Sequence, residues 1–413
     1  MTHEYEFLTV STIPGYIRSV PRLAEQIDSG RIASVDEIGD GNLNLVFLVK
    51  DEDGRGLVLK QALPYVRMTG ESWPMTAERA RYEVDSLRAH HALLPDHVVE
   101  VLHFDHERFI IGMEDLSDHT VWRHALNAGA VHDGAAAAVG RYIGAVAFGT
   151  SVMALDREAL AEAVRAAVNP QLCLITEDLV FSEPSVDAGR NSTLVANRAD
   201  AQELAADETF VTAMGRAKWT FMTHAEALIH GDLHTGSIMV RAPKGSVTCD
   251  SVKVFDSEFA FYGPVAFDLG ATWANYVIAA ARAYALGDDA RAEWALGLVN
   301  QTWAGFEEEY RRRWPERRDS RVWRDAFLED RLATWRAEAW LFAAAKMSRR
   351  IVGAAKTKDI ETLPEELREG AARGVLRAAR QAVRVGAGDT SPAAFAAVAR
   401  AQLRGSRTNA ARS

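Results

Sequence analysis

Short apolar runs separated by turns dominate the first third of the chain. Runs rich in branched residues cover 45–49, 57–61, 98–104 and 109–113, and the turns between them contain glycine and charged residues. One segment whose apolar residues have helical spacing, 76–91, lies between the second and third runs. This pattern predicts an antiparallel sheet accompanied by one helix.

Beyond residue 115 the pattern changes to long segments, rich in alanine and leucine, whose apolar positions repeat with a helical period. These segments cover 119–155, 156–168, 199–228 and 267–382, interrupted by one strand–turn–strand pattern around 238–256. We therefore expect an α+β fold of two lobes, in which the second lobe is larger and mainly helical. The predicted units are a β-rich lobe over 1–115, a helical lobe over 116–404 and a disordered tail over 405–413.

Chain length and charge narrow the class of protein. The 413 residues are enough for two such lobes, and the formal net charge is −10. Nucleic-acid-binding domains have a basic footprint, so this charge argues against a nucleic-acid partner. No apolar run approaches the roughly 18 residues of a membrane span, and the first residues lack the basic and apolar regions of a signal peptide. We expect a soluble cytoplasmic protein without a membrane partner.

The strongest chemical signal is His-Gly-Asp-Leu-His-Thr-Gly-Ser at 230–237, followed by Asp-Ser-Glu at 256–258. The strand–turn–strand pattern between them can bring both to the same end of a hairpin. Asp232 can accept the proton of an attacking hydroxyl, and Asp256 and Glu258 offer the oxygen ligands that Mg²⁺ prefers. The combination is typical of phosphoryl transfer from a nucleotide, because that reaction depends mainly on positioned charge.

A candidate phosphate site lies in the β-rich part of the chain. Gly39 and Gly41 let the backbone approach phosphates closely, because no Cβ intervenes. Lys60 lies within an apolar strand, where lysine is unusual, and its ammonium would contact the α- and β-phosphates of ATP. These residues predict an ATP site in the first lobe.

Two features near this site remain less defined by sequence. Glu83 on the predicted helix is a plausible ion-pair partner for the lysine, although Glu78 and Asp85 are close alternatives. At the junction of the lobes, the backbone from Glu114 to Leu116 is placed to pair with the adenine edge. Backbone recognition leaves no side-chain signature, so this second prediction depends on position alone.

The order of these features resembles the protein-kinase-like fold: glycine turn, strand lysine, helix glutamate, lobe junction, aspartate loop and metal acid. The His-Gly-Asp loop is similar to that of the small-molecule branch, which includes aminoglycoside phosphotransferases and choline kinases. That branch usually carries Asn where this chain has Ser237, and a single Asp where it has Asp256-Ser257-Glu258. Either a water or Glu258 would have to take over the ligand role of the missing Asn.

Both departures resemble the methylthioribose kinase family. The similar stretches are HGDLHTGSI at 230–238, DSEFAFYGP at 256–264, GDGNLN at 39–44, NPQLCLITEDLVF at 169–181 and MSRRIVG at 347–353. The resemblance implies ATP- and Mg²⁺-dependent phosphorylation of the anomeric 1-hydroxyl of S-methyl-5-thioribose, in methionine salvage, by a homodimer.

The same resemblance implies a role for each matching residue. Asp232 would be the catalytic base in contact with the sugar, and Asp256 and Glu258 the Mg²⁺ ligands. The ATP-binding residues would be Gly39, Asp40, Gly41, Asn42, Asn44 and Lys60, with Glu114 and Leu116 at the adenine. The remaining sugar contacts would be Arg349, Arg350 and Trp73, the last in a loop over 72–75 that closes beside the substrate.

Other functions are weighed against this one. A kinase for 5-deoxyribose, an aminoglycoside or choline has the same catalytic loop, but two adjacent arginines suit a neutral polyol and a migrating phosphate better than a polycation. A metal hydrolase built on His230 and His234 would need further ligands, and no second histidine cluster has suitable spacing. A pseudokinase that binds nucleotide without turnover is disfavoured because Lys60, Asp232 and Asp256 are all present.

Overall fold

The first part of the chain forms an antiparallel sheet covered by helices on both faces. The computed structural model describes residues 6–39, 43–66, 70–386 and 388–406. The elements in chain order are α1 (Ile13–Ser19), α2 (Pro21–Gln26), β1 (Ile32–Glu37), β2 (Asn44–Asp51), β3 (Gly56–Ala62), β4 (Tyr65–Val66), β5 (Gly70–Pro74), α3 (Arg79–Leu93), β6 (Val101–Asp105) and β7 (Ile110–Glu114). The main sheet has the order β1-β2-β3-β7-β6, and β4 pairs with β5 in a separate hairpin.

Alternation along β3 decides which side chains face the cleft, the region between the main sheet and the loop that carries Asp256. Leu57 and Leu59 pack with the apolar residues of α1 and α2 on one face of the sheet. Successive side chains of a strand point to opposite faces, so Lys60 projects from the other face, where α3 lies.

The remainder of the chain is mainly helical. Its helices are α4 (Trp122–Ala128), α5 (Ala135–Gly149), α6 (Arg157–Ala166), α7 (Pro170–Thr176), α8 (Glu183–Val186), α9 (Arg198–Ala205), α10 (Glu208–Thr223), α11 (Val265–Ala285), α12 (Asp289–Arg313), α13 (Asp325–Ile351), α14 (Lys358–Glu361), α15 (Glu365–Val385) and α16 (Pro392–Ser406). A π-helical segment, Glu177–Ser182, follows α7. The long helix α11 is buried along nearly its whole length because it packs against α12, α13 and α15.

Five short strands frame the loops that carry the chemical motifs. They are β8 (Thr120–Val121), β9 (Ala227–Ile229), β10 (Ile238–Arg241), β11 (Ser251–Val254) and β12 (Phe261–Gly263). The predicted hairpin is present, since Ile238 in β10 pairs with Val254 in β11. The backbone N–H of Phe255 also donates to the carbonyl of Ser237 (3.1 Å), so the two motif loops lie side by side.

The structure confirms the predicted α+β fold of two lobes and corrects some local expectations. Residues 72–74 lie in strand β5 and not in a loop, although the side chain of Trp73 is outside the described part of the structure. Helix α16 continues through Ser406, so 405 and 406 do not belong to a disordered tail, and 407–413 lie outside the described residues. Within the described ranges, no helix is both long and apolar enough to cross a bilayer.

Candidate active site

The loop that carries Asp232 is held by its neighbours at the backbone. Gly231 has a φ of +82°, and a Cβ there would lie 2.1 Å from the carbonyl oxygen of Phe259, so only glycine fits. The carboxylate of Asp268, on α11, accepts the N–H groups of His230 (2.8 Å) and Gly231 (3.2 Å). Asp268 was not anticipated from sequence, and it fixes the start of the loop.

His230 has a structural role in this loop. Its Nε2 lies 2.9 Å from the carbonyl oxygen of Phe255, and its Nδ1 accepts the N–H of Asp232 at 3.3 Å. Both ring nitrogens are therefore engaged within the loop. His230 ties the loop of Asp232 to the residue that precedes Asp256.

The hydroxyl of Ser237 is engaged in the turn that ends the loop. Its Oγ accepts the N–H of His234 (3.0 Å) and donates to the carbonyl of the same residue (2.9 Å). The Nδ1 of His234 in turn accepts the N–H of Gly236 at 3.1 Å. These contacts favour the interpretation in which Ser237 does not serve as a metal ligand.

Cations surround the carboxylate of Asp232. Its Oδ1 lies 2.7 Å from Nζ of Lys346 and 3.8 Å from Nη1 of Arg349, while Oδ2 lies 3.7 Å from Nε2 of His234. Burial raises the pKa of Asp232, but Lys346, His234, Arg349 and Arg350 together hold that pKa well below its usual range. Asp232 is therefore ionised across the physiological pH range.

Positive charge exceeds negative charge on this side of the site. Arg349 and Arg350 are both buried at the end of α13, as is Lys346. Burial, together with Arg349 and Arg123 nearby, lowers the pKa of Arg350 well below its ordinary value. Within the described part of the chain, Nε of Arg349 is buried without a hydrogen-bond partner. A cluster of cations of this kind is suited to an anion such as a transferring phosphoryl group.

Carboxylates are in excess on the opposite side, around Lys60. Its Nζ lies 2.7 Å from Oε2 of Glu83 and 2.5 Å from Oδ1 of Asp256, so Glu83, not Glu78 or Asp85, is its partner on α3. Burial opposes the charge of Lys60, but Asp256 and Glu83 raise its pKa above the usual value. Burial and the carboxylates nearby raise the pKa of Glu83 to about 7, although Lys60 opposes this shift.

Glu258 is bound to a buried arginine that the sequence did not suggest. Its Oε2 accepts hydrogen bonds from Nε of Arg79 (3.2 Å) and Nδ2 of Asn44 (3.1 Å). Arg79 is fully buried and also donates to the carbonyl oxygen of Leu43 at 2.8 Å and to Oδ1 of Asn44 at 2.9 Å. One oxygen of Glu258 therefore anchors the strand that follows the glycine turn.

The donor set is compatible with Mg²⁺. The described residues contain no group of three or more His, Cys, Asp or Glu side chains arranged to share a metal. Mg²⁺ is usually held by one or two carboxylates together with substrate phosphates and waters, which Asp256 and Glu258 can match. Zinc hydrolases need more protein ligands, and the ring nitrogens of His230 are already engaged.

The other residues predicted to bind ATP lie at the end of β7, just after it and in the glycine turn. Glu114 is the last residue of β7, and its Oε1 accepts a hydrogen bond from Nζ of Lys253 (2.9 Å). Leu116 is buried, and its carbonyl accepts the N–H of His119 at 2.9 Å. Gly39 lies in the described turn residues, whereas 40–42 lie outside them. The ATP-binding role of these residues stays a prediction.

Lys346 is the main residue of the site that sequence reasoning missed. A signal was present, because positions 346, 349 and 350 have the spacing that puts residues on one helix face. Lys346 also lies between Ala343-Ala344-Ala345 and Met347, and a lysine is unusual in so apolar a segment.

Comparison with known proteins identifies the class of protein and then its family. Residues 34–297 match the family model described as "Phosphotransferase enzyme family", and the chain is a member of that family. A methylthioribose kinase of Yersinia pseudotuberculosis is 35% identical over 92% of this chain and 93% of that protein. One of Klebsiella pneumoniae is 38% identical over 81% of this chain and 84% of that protein. The chain belongs to the methylthioribose kinase family.

Solved structures give a weaker similarity. A choline/ethanolamine kinase family protein from Mesorhizobium loti is 12% identical, covers 95% of this chain and 98% of its own, and has a TM-score of 0.46. A similarity of this degree supports no argument about the chain. The family membership depends on the sequence relatives.

Proposed function

We propose that the protein transfers the γ-phosphoryl group of ATP to the 1-hydroxyl of S-methyl-5-thioribose. Membership of the methylthioribose kinase family supports the choice of sugar. The reaction type is supported mainly by the division of charge in the cleft. Cations exceed carboxylates around Asp232, and carboxylates exceed cations around Lys60. One side suits a phosphoryl group and the other a divalent cation with its nucleotide.

Asp232 acts as the general base in the proposed reaction. It is ionised, its loop is held at the backbone, and its carboxylate lies 3.8 Å from Nη1 of Arg349. It accepts the proton of the sugar hydroxyl as the oxygen approaches phosphorus, while the two arginines orient the sugar and the transferring phosphoryl group. Lys60, aimed by Glu83, binds the α- and β-phosphates of ATP.

Asp256 and Glu258 would hold Mg²⁺ when it is bound. When bound, the ion would neutralise negative charge that develops on the phosphate during transfer. Asp256 has the more accessible side chain, 38% exposed, whereas one oxygen of Glu258 is already bound by Arg79 and Asn44. Asp256 is therefore the principal ligand in this proposal, and Glu258 contributes through its other oxygen.

The charge of the sugar side also separates the candidate substrates. A polycationic aminoglycoside or the quaternary ammonium of choline would enter beside Lys346, Arg349 and Arg350, where like charges repel it. A pentose that lacks only the methylthio group would lose apolar contact, which is worth about 1–3 kcal/mol. The site therefore favours neutral 5-modified pentoses over cationic alcohols.

A parallel measurement of ATP consumption tests this proposal. The acceptors are methylthioribose, 5-deoxyribose, ribose, choline and kanamycin, with ADP release as the readout. We expect the highest kcat/KM for methylthioribose, a value about 10–100-fold lower for 5-deoxyribose, and no acceptor-dependent ADP release with choline or kanamycin. Turnover of either cationic alcohol at a rate comparable to methylthioribose would contradict the proposal.

We propose that the enzyme is a homodimer and that its reaction belongs to methionine salvage, and both proposals depend on the family resemblance alone. We also propose that it acts in the cytoplasm, which is the expectation drawn from the sequence. Each stays a prediction.

A further inference from the structure

We propose that Lys346 is a positioning residue for this reaction, because its ammonium holds Oδ1 of Asp232 and leaves Oδ2 to face the sugar hydroxyl. The inference rests on the proposed function and adds a residue that the family motifs do not include.

The position of Lys346 is defined by two helices. Its side chain is only 4% exposed, and its Nζ lies 2.7 Å from Oδ1 of Asp232. The same ammonium lies 4.5 Å from the centre of the Phe267 ring, on α11. The next residue of α11, Asp268, holds the backbone of the Asp232 loop. Helices α11 and α13 thus fix the backbone and the side chain of one catalytic loop together.

The two oxygens of Asp232 differ in their surroundings. Oδ1 is bound by Lys346 and approached by Arg349 at 3.8 Å. Oδ2 lies 3.7 Å from Nε2 of His234, which is beyond hydrogen-bond distance. Burial and Arg123 lower the pKa of His234 well below its usual value, so its ring is neutral at physiological pH. Oδ2 is therefore the oxygen that can accept a proton.

The charged groups that face Lys346 are Asp232 on the loop, Arg349 and Arg350 on its own helix, and Asp268 on α11, and the neutral ring of His234 also faces it. Burial lowers the pKa of Lys346 to about 8, with Arg349 and Arg350 acting in the same direction and Asp232 opposing. A lysine with this pKa is charged below about pH 8 and neutral above it. The hold on Oδ1 is therefore present at neutral pH and is lost as the pH rises through that value.

A purely structural role for Lys346 makes a different prediction. If the lysine only balanced the buried charge of Asp232, its loss would lower stability without changing the chemistry of the folded enzyme. If it positions the base, its loss changes kcat and the pH profile of each folded molecule. The two roles therefore separate in kinetic measurements that are corrected for the folded fraction.

The experiment compares Lys346→Met, Lys346→Arg and the wild type, with Lys218→Met as the control. Lys218 is a partly buried lysine on α10. Its Nζ donates a hydrogen bond to Oγ of Ser182 (2.9 Å) and to none of the residues assigned to the site. We expect Lys346→Met to lower kcat about 100-fold, with KM for ATP within about twofold of the wild type. Lys346→Arg should keep at least about a tenth of the wild-type kcat. The wild-type kcat should fall as the pH rises through about 8 (the alkaline limb of its pH profile), and this fall should be absent in Lys346→Arg, since arginine stays charged.

Each outcome bears on the inference. A kcat per folded molecule in Lys346→Met that equals the wild type, with the alkaline limb unchanged, would overturn it. If Lys346→Met does not fold, Lys346→Arg decides. A fall in kcat near pH 8 that persists in Lys346→Arg would also contradict the inference. A wild type that does not phosphorylate methylthioribose refutes the proposed function instead, whereas an active wild type matched by its Lys346 variants refutes only the role of Lys346.

Discussion

At the scale of single residues, neighbouring charges decide the protonation state of each carboxylate in the cleft. Asp232 and Glu83 are both buried, yet their pKa values move in opposite directions. Asp232 lies among cations that lower its pKa, so it stays ionised. Burial, together with Asp256 and Glu258, raises the pKa of Glu83 to about 7, although Lys60 opposes this shift. Burial acts in the same direction on both carboxyl groups, so the difference between their pKa values is due to the neighbouring charges.

Replacing the proposed base tests its role directly. Asp232→Asn should lower kcat by about 10²–10⁴-fold, because an amide cannot accept the hydroxyl proton. ATP binding, measured by calorimetry, should remain within a few-fold of the wild type, since Lys60 and Glu83 are untouched. Asp250→Asn is the control, because Asp250 pairs with Arg241 on the surface. If Asp232→Asn kept more than a tenth of wild-type kcat, Asp232 would not be the base.

Single residues differ in how well sequence predicts them. An acidic partner for Lys60 on the neighbouring helix was predictable, because an isolated charge in an apolar strand needs one, but the choice of Glu83 over Glu78 and Asp85 comes from the structure. Lys346 was missed because its partner, Asp232, lies far away along the chain. Arg79 was missed for the same reason, since its contacts join three separate segments.

At the scale of elements, Arg79 connects the lobes. It lies at the start of α3 and reaches Asn44 on β2 and Glu258 in the loop after β11. Nη1 of Arg79 also donates a hydrogen bond to the carbonyl oxygen of Leu63 (2.7 Å). This connection links the strand after the glycine turn with the proposed metal ligands.

A double-mutant cycle measures that connection. Arg79→Met should cost about 3–5 kcal/mol in the free energy of unfolding, because it leaves the Glu258 carboxylate buried without its partner. Arg81→Met, on the same helix but partly exposed with surface partners, should cost less than about 1 kcal/mol. Adding Glu258→Gln to Arg79→Met should cost clearly less than the sum of the two single changes, measured by urea unfolding. Strict additivity would mean that the two side chains are not coupled.

Elements also differ in how far sequence predicts them. The long helices and the strands β2, β3, β6 and β7 were predicted because several turns or alternations repeat the same pattern. The strands β8, β9 and β12 were missed because two or three residues are too few to show a period. Residues 72–74 were expected in a loop because Pro74 follows Trp73, but a proline at the end of an edge strand does not interrupt its pairing.

At the scale of the whole molecule, the cleft combines two regions of opposite charge. The carboxylate-rich region collects Lys60 from the sheet, Glu83 from α3 and Asp256 from the β11 loop. The cationic region collects Lys346, Arg349 and Arg350 from one end of α13. The first region suits a divalent cation with its nucleotide, and the second suits a transferring phosphoryl group. The fold class was predictable from the sequence pattern, whereas this division of charge depends on contacts between distant segments.

The position of the new phosphate ester tests the central claim most directly. The wild-type enzyme, ATP, Mg²⁺ and methylthioribose are combined, and the product is examined by ³¹P NMR with coupling to the sugar protons. Transfer to the 1-hydroxyl predicts one phosphomonoester whose phosphorus couples to the anomeric proton, formed in equal amount to ADP. A product whose phosphorus couples to another ring proton, or release of inorganic phosphate alone, would contradict the proposed reaction.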